Sequence, residues 1–231
     1  MKIKDRDVKL NQVIFALDCY NPLYLDKTGE FINKTDDYSS HNVNIGPEGY
    51  NFFSKRNNKV FLNIKKFSVS FDNSTTRKNY TDDNFLFDLE SYSKELLDIY
   101  GEISLKRLGT RLIKRIEINE FQSKDILKKI ISPSFSDTFQ NVSSANLKIK
   151  FDNQNDSFCN LNLYYGKRVI DFGIEEMEEE GLIFDFDDYI FLRDEKSNHE
   201  SLKKILDFYK SSKLRFEETF LKFKTWVEKN V

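Results

Sequence analysis

The sequence is poor in the residues that most often build cofactor and metal sites. It has only 8 glycines in 231 residues, and they form neither a G-x-G-x-x-G nor a G-x-x-x-x-G-K-[ST] pattern, which argues against dinucleotide enzymes and P-loop NTPases. The two histidines, His41 and His199, stand apart from each other and from the cysteines, so no zinc-binding spacing arises. A G-x-S-x-G nucleophile elbow is also missing. We therefore expect no catalytic residue, no metal and no cofactor.

Cysteine is equally scarce, because Cys19 and Cys159 are the only two. Two distant thiols make neither a disulfide framework nor a zinc site, and reduced cysteines are typical of a cytoplasmic protein. No apolar run approaches the roughly 18–20 residues that a membrane span requires. The first twelve residues, MKIKDRDVKLNQ, are too charged for a signal peptide. We expect a cytoplasmic protein without a membrane association.

The chain has no excess of charge of either sign. Its 36 Lys and Arg residues nearly balance 38 Asp and Glu residues, so the net charge of −2 gives no overall attraction to nucleic acid or anionic lipid. What the chain does have is 22 phenylalanines and 11 tyrosines, which together predict an aromatic-rich core. This composition excludes global disorder and indicates a folded protein.

Alternating apolar residues predict strands, and apolar residues spaced by three and four predict helices. The predicted strands are Val13–Asp18, Tyr50–Lys55, Lys59–Phe71, Ile103–Ile118, Ala145–Asp152, Phe158–Tyr165 and Leu182–Leu192. The predicted helices are Phe85–Tyr100, Asp125–Ile131 and a long C-terminal helix over about Ser201–Lys229. The polar stretch from Tyr20 to Tyr50 is predicted to be irregular, and a hairpin turn is expected at Asn57-Asn58.

Strands joined by turns, with few helical crossovers, favour an α+β fold with a mostly antiparallel sheet. In each half, about 1–118 and 119–231, several strands precede a helix, so the two halves are expected to be loosely related. We expect one domain over residues 1–231, with the long C-terminal helix packed on the sheet.

The predicted central strand carries a row of arginines. Because side chains two residues apart share a face of a strand, Arg107, Arg111 and Arg115 line one side, with Gly109 between the first two. A glycine in mid-strand predicts a bulge or a close backbone approach. The arginines, together with Lys106 and Lys114, are candidates for binding an anion or a partner. The alternative is a ladder of cross-strand ion pairs, which is common sheet chemistry.

A partner for that ladder is present in the late strand. Asp185 and Asp187 repeat at the same two-residue period as the arginines. We therefore expect the two strands to face or flank one another, with Arg111 or Arg115 paired to Asp185 or Asp187. Asp188 would lie on the opposite face. A second possibility is that the three aspartates hold a divalent cation for hydrolysis. The preceding glutamates, within 175–180, are predicted to form a solvated loop beside the strand.

One resemblance rests on this central strand. Residues 109–116 read GTRLIKRI, which resembles the G-L-R-Y-I-N-R-I stretch of a sporadically distributed family of uncharacterised bacterial and archaeal proteins; Thr110 replaces the usual Leu and Lys114 the usual Asn. An apolar strand that ends in Asp, here LIFDFD at 182–187, and a long helix rich in Leu and Phe follow in the same order. The resemblance implies no activity. The patchy distribution of the family resembles that of defence genes in prokaryotes.

These observations favour a non-catalytic protein that binds another protein or itself, as the accessory member of a defence- or toxin-linked operon. Two alternatives stay open at this point. The arginine strand would serve a nucleic-acid- or nucleotide-binding module, and Asp185, Asp187 and Asp188 would serve a metal-dependent hydrolase. The tyrosines Tyr164 and Tyr165, near Lys167 and Arg168, are further candidates for stacking on bases.

Overall fold

The computed structural model describes residues 2–21, 23–34, 44–46, 49–53, 58–72, 82–131, 146–152, 157–171, 176–198 and 200–231. A short 3-10 turn, Asp5–Asp7, precedes the first strand. The strands are β1 (Val8–Tyr20), β2 (Asn44–Gly46), β3 (Gly49–Phe53), β4 (Lys59–Leu62), β5 (Lys66–Asp72), β6 (Ser104–Ile116), β7 (Asn146–Asp152), β8 (Ser157–Asp171) and β9 (Glu176–Lys196). The helices are α1 (Tyr24–Lys34), α2 (Asp82–Tyr100), α3 (Glu120–Ile131) and α4 (Ser201–Asn230).

The nine described strands form one sheet in the order β2-β3-β4-β5-β1-β6-β9-β8-β7, and every pairing is antiparallel. The predicted fold class is therefore confirmed: the protein is α+β, its sheet is antiparallel, and the long C-terminal helix packs on that sheet. The predicted adjacency of the arginine strand and the late aspartate strand is confirmed as well, because β6 pairs directly with β9.

The order of elements occurs twice along the chain. A central strand (β1), a helix, a meander of strands and a second helix are followed by β6 and a similar series with one strand fewer. The two central strands pair with each other over twelve residue positions, from Val8↔Ile116 to Tyr20↔Ser104. This order divides the chain between α2 and β6, whereas the sequence analysis divides it near residue 118.

All four helices in the described part of the chain contribute to a hydrophobic core on one face of the sheet. Phe31 of α1, Leu89 of α2, Ile126 of α3 and Phe216 of α4 are all fully buried in it. On the sheet side, one parity of each strand enters the core, as in β1, where every second residue from Val13 to Cys19 is buried. The side chains of the other parity point away from the helices.

Aromatic packing holds α4 on the second half of the sheet. The ring of Phe184 in β9 lies 5.8 Å from Phe216 and 5.2 Å from Phe220, both in edge-to-face contact. Phe223 lies one turn farther on, 5.4 Å from the same ring. Such pairs add to the free energy gained by burying the rings. These phenylalanine contacts hold α4 against β9, the strand that carries Asp185 and Asp187.

The end of α2 follows from local chemistry and agrees with the predicted helix Phe85–Tyr100. Helix α2 ends before Gly101, whose φ of 69° is the left-handed conformation that glycine adopts at low cost, and its N–H donates to the carbonyl of Leu97 at 3.0 Å. The strands β3 and β4 pair antiparallel as predicted, while Asn57 lies outside the described residues. His41 and His199 also lie outside them.

Three sequence predictions about elements are wrong. Helix α1 lies within the stretch predicted to be irregular, and its Phe31 side chain is fully buried. The run Lys59–Phe71 is two strands, because Asn63 turns the chain: its Oδ1 accepts the N–H of Lys65 and its own N–H donates to Lys66, both at 2.8 Å. Residues 176–180 form the first part of β9 rather than a loop, since β8 offers Lys167 opposite Glu180.

Candidate functional site

The face of the sheet that points away from the helices is not covered by any described helix, and we call it the open face. Its central rows run across β1, β6, β9 and β8. One row is Ile14, Arg111, Asp187 and Asn160, and the next is Gln12, Ile113, Asp185 and Asn162. Most of these side chains are only partly buried. The open face is therefore polar and charged in its centre.

Arg111 pairs with Asp185, as the sequence analysis expects. Its Nε donates to Oδ1 at 2.9 Å and its Nη2 donates to Oδ2 at 2.7 Å, so the guanidinium and the carboxylate form a two-point contact. Arg111 faces Asp187 across the ladder, and its side chain reaches diagonally to Asp185. The hydrogen bond to Asp185 raises the pKa of Arg111 above its usual range. The carboxylate is almost fully buried, while the guanidinium is half exposed.

The other two arginines of β6 also meet acids of the protein. Arg115 is buried between Glu179, which it contacts through Nη1, and Glu117, which lies 3.1 Å from Nη2. Arg107 lies 3.3 Å from Asp18 of β1 and stacks over the ring of Tyr189 at 4.4 Å. All three guanidiniums thus form ion pairs within the fold, which is the ladder alternative of the sequence analysis.

Gly109 lies beside the guanidinium of Arg107. A Cβ added at this position would lie 3.6 Å from Nη2 of Arg107 and 3.8 Å from Cβ of Tyr189, which are ordinary van der Waals distances. The strand is regular at Gly109, and its irregularity falls instead between Leu105 and Arg107. Neither outcome predicted for the glycine is observed, because the strand has no bulge at this position and the nearest atoms are side-chain atoms at ordinary contact distance.

The two candidate lysines do not join the arginines. Lys114 points to the helix side, where it contacts Glu217 of α4 and lies 4.6 Å above the ring of Phe220. Lys106 is exposed at the irregular position of β6. The five basic residues that the sequence singles out are therefore split between three locations. They therefore do not form a single anion-binding site.

The three aspartates are also separated. Asp185 and Asp187 lie on the open face, whereas Asp188 is fully buried on the helix side, where Arg215 of α4 donates to its carboxylate. Burial raises the pKa of Asp187 above its ordinary value of 3.8, with Arg107 and a hydrogen bond from Asn160 opposing the rise. Among the described residues, no group of three or more His, Cys, Asp or Glu side chains is placed to hold a metal ion.

Neither cysteine is placed as a nucleophile. Cys19 and Cys159 are both buried on the helix side, and burial raises the pKa of each thiol to about 12. A thiol with such a pKa is almost entirely protonated at neutral pH, and the protonated form does not attack electrophiles. The two thiols are not joined in a disulfide.

The sequence analysis missed an aromatic cluster on the open face, formed by Phe158, Tyr189 and Phe191. The three ring centroids lie between 5.5 and 5.8 Å apart, with Phe158 and Tyr189 stacked and Phe191 edge-on to both. Phe191 is 50% exposed. Two cations adjoin the rings: Arg107 on Tyr189, and Lys150 of β7 at 4.9 Å from the Phe158 centroid.

The signal for this cluster is only partly present in the sequence. Tyr189 and Phe191 are two residues apart, so a single strand places them on one face with the aspartates. Phe158, however, joins them through the pairing Phe158↔Tyr189, and that register depends on the whole hairpin of β8 and β9. The predicted stacking residue Tyr164 lies on the open face opposite Ile183, away from this cluster. Tyr165 instead hydrogen-bonds Glu180, which also pairs with Lys167.

The comparisons with known proteins add no family. A scan of protein-family models finds no match to this chain, and a search of curated proteins finds none either. The resemblance described from residues 109–116 therefore stays a prediction. No helix in the described part of the chain combines the length and the apolar character needed to cross a membrane.

Proposed function

We propose that this protein is a non-catalytic protein-binding module that recognises a partner protein through the open face of its sheet. The observation that carries the proposal is the aromatic cluster Phe158, Tyr189 and Phe191, in which Phe191 is exposed and the other two rings are half-buried. The cluster adjoins Arg107 and Lys150. Aromatic and arginine side chains are enriched among the residues that contribute most to binding energy at protein interfaces.

The surroundings of the cluster support the same proposal. At a protein interface, the residues that contribute most to the binding energy are usually surrounded by residues that contribute little individually but exclude water. Two charged pairs of the open face are already matched, namely Arg107 with Asp18 and Arg111 with Asp185. A partner can cover such pairs without leaving a lone charge buried, which is the costly case.

A catalytic role lacks support of this kind. The basic and acidic residues that the sequence offers for chemistry are held in ion pairs or hydrogen bonds within the fold, and Asp188 lies on the opposite side of the sheet from Asp185. Together with the resemblance of residues 109–116, this extends the proposal to an accessory protein, such as a member of a defence- or toxin-linked operon in a prokaryote.

Affinity capture with matched variants tests this function. The tagged protein is retained from native extract as wild type, as Phe191→Ser and as Phe121→Ser; Phe121 in α3 is 81% exposed and lies outside the aromatic cluster. We expect one stoichiometric protein with the wild type and with Phe121→Ser, and at least a tenfold loss with Phe191→Ser, because truncated interface aromatics cost about 2 kcal/mol or more.

The same eluates are assayed for nucleic acid, since exposed aromatics beside cations also stack on bases. A protein whose capture is equal for both variants would contradict the proposed face. An eluate that contains nucleic acid and no stoichiometric protein would contradict the proposed class of partner, and would favour a nucleic-acid-binding module instead.

A further inference from the structure

Strand β7 ends the sheet on the side of the aromatic cluster. It pairs with β8 over seven positions, from Asn146↔Tyr164 to Asp152↔Phe158, and no described residue pairs with its other edge. In such an edge strand, alternate backbone N–H and C=O groups point outward and are able to pair with a further strand. The opposite end of the sheet differs, because β2 is only 3 residues long. Short edge strands are a known protection against strand addition.

The side chains of β7 present different chemistry on the two faces. Lys148 and Lys150 are exposed on the open face, opposite Asn162 and Asn160 of β8. Leu147 and Ile149 point to the helix side and are half-buried against the core, and Phe151 follows them with 42% exposure. A strand placed beside β7 would extend the apolar row with its own apolar side chains and would meet the lysines with the alternate ones.

We propose that β7 is a strand-addition site for an extended segment of the partner protein in which acidic and apolar residues alternate. The inference rests on the proposed function and specifies the chemistry of the partner. Backbone hydrogen bonds to β7 supply affinity in this mode, and the side chains beside Lys148 and Lys150 supply specificity. Because Lys150 lies 4.9 Å from the Phe158 ring, the added strand and the aromatic cluster form one continuous contact surface.

A second copy of this chain is the less suitable occupant. If two β7 strands pair antiparallel with their open faces aligned and Ile149 at the centre, Lys148 of one copy falls opposite Lys150 of the other. Like charges directly opposite each other destabilise a strand pair. The same lysines attract a strand that offers carboxylates at those positions. They therefore act against self-pairing and in favour of an acidic partner.

Amide hydrogen exchange on the full-length protein tests the inference. The probes are capped seven-residue peptides: one alternates Val and Glu, one alternates Val and Lys, and one is the Val/Glu peptide with a central proline. We expect the Val/Glu peptide to slow exchange at alternate amides of β7, and the other two to leave them unchanged, because lysine repels the edge and proline lacks the N–H. The double variant Lys148→Glu with Lys150→Glu should reverse the preference, weakening the Val/Glu peptide roughly tenfold.

Two results would overturn the inference: unchanged exchange at β7 with every peptide, or equal protection by the Val/Glu and Val/Lys peptides. Affinity capture separates this failure from that of the proposed function. If the captured protein depends on Phe191 but is retained fully by the Lys148→Glu/Lys150→Glu variant, the strand-addition site is wrong and the aromatic face stands. If Phe191→Ser and Lys148→Glu/Lys150→Glu each lose the captured protein while Phe121→Ser behaves as wild type, the aromatic face and the strand-addition site are both supported.

Discussion

At the scale of single residues, the pair Arg111–Asp185 is asymmetric. Only 3% of the Asp185 side chain is exposed, against 46% of Arg111. Removing one partner of an ion pair leaves the other with the full cost of its burial, and that cost depends on how much water still reaches it. The carboxylate has little access to water, whereas the guanidinium has much. Substituting Arg111 and substituting Asp185 should therefore lower the free energy of unfolding by different amounts.

We expect Arg111→Ala to lower the free energy of unfolding by about 3 kcal/mol, since it leaves a buried carboxylate with only a long hydrogen bond from Nδ2 of Asn162, at 3.5 Å. Asp185→Asn should cost only about 1 kcal/mol, because the amide keeps an acceptor and the guanidinium stays hydrated. Urea unfolding at pH 7 measures both. Lys106→Ala, at an exposed position of the same strand, is the control and should stay within about 0.5 kcal/mol of wild type. Equal losses for the first two variants would mean that water reaches Asp185.

Asp187 gives a prediction about pH. Its pKa is raised by burial above 3.8, so an unfolded chain ionises this group at a lower pH than the folded protein does. The unfolded state then binds fewer protons, and the contribution of Asp187 to stability falls as the pH rises through 3.8 and the higher folded pKa. Asp187→Asn removes that loss while keeping a partner for Asn160.

We therefore expect Asp187→Asn to be at least as stable as wild type at pH 7, with the difference vanishing below pH 3.8. Urea unfolding at a series of pH values measures it. A variant that is less stable at pH 7 and equal in acid would show that the ionised carboxylate is stabilising, through Arg107, against the stated effect of burial.

The candidate site shows where residue-scale prediction from the sequence ends. The period-two pattern correctly places Arg107, Arg111 and Arg115 on one face and gives them an acidic partner strand. It cannot choose between Asp185 and Asp187, because a long arginine reaches both the opposite and the diagonal position. The aromatic cluster depends on a cross-strand register, and Phe158 carries no local signal of its neighbours.

At the scale of elements, two glycines in different settings form a matched test. Gly181 of β9 lies where β6 ends: a Cβ there would overlap the carbonyl oxygen of Ile116 and lie 3.0 Å from Cγ of Arg115. Gly29 of α1 is exposed, and a Cβ there would have no atom within 4 Å. The first glycine is required by a close approach of the backbone, and the second is not.

We expect Gly181→Ala to destabilise the protein by about 2 kcal/mol or more, because backbone must move to admit the methyl group. Gly29→Ala should stabilise it by roughly 0.5–1 kcal/mol, since alanine is the better helix former and reduces the freedom of the unfolded chain. In thermal unfolding, the melting temperature of Gly181→Ala should fall below that of wild type and the melting temperature of Gly29→Ala should rise above it. A stabilising Gly181→Ala would show that β6 and β9 are less closely apposed at Ile116 than described.

Elements with strong periodicity are the ones that the sequence predicts well. The long C-terminal helix, α2 and β6 have apolar side chains at most of the positions that enter the core. Helix α1 is short, and its sequence YLDKTGEFINK is mostly polar, so its amphipathic pattern is hard to recognise. The glutamates before Gly181 look like a solvated loop because their partners lie on another strand, where Lys167 faces Glu180.

At the scale of the whole molecule, the pairing of β1 with β6 joins two similar series of elements into one sheet. Both series also contribute to one core. Strands β1 and β6 pair over twelve positions. Because this pairing connects the two series in the middle of the sheet, we expect the entire chain to unfold in one step. The chain offers a convenient probe, because its only tryptophan, Trp226, lies in α4 of the second series.

We expect a single cooperative urea transition, with the fluorescence of Trp226 and the far-ultraviolet circular dichroism of the whole chain coinciding. Circular dichroism that shows two steps, only one of which coincides with the tryptophan signal, would mean that the halves unfold separately. That result would contradict the expectation of one domain over residues 1–231.

The central claim is that the open face binds a partner protein, and a photo-crosslinking amino acid placed at position 191 tests it most directly. The same group at position 121, an exposed phenylalanine site in α3, serves as the control. Irradiation in cells should yield one protein adduct from position 191 and none of that mass from position 121. Adducts that contain nucleic acid, or the same protein adducts from both positions, would contradict the claim.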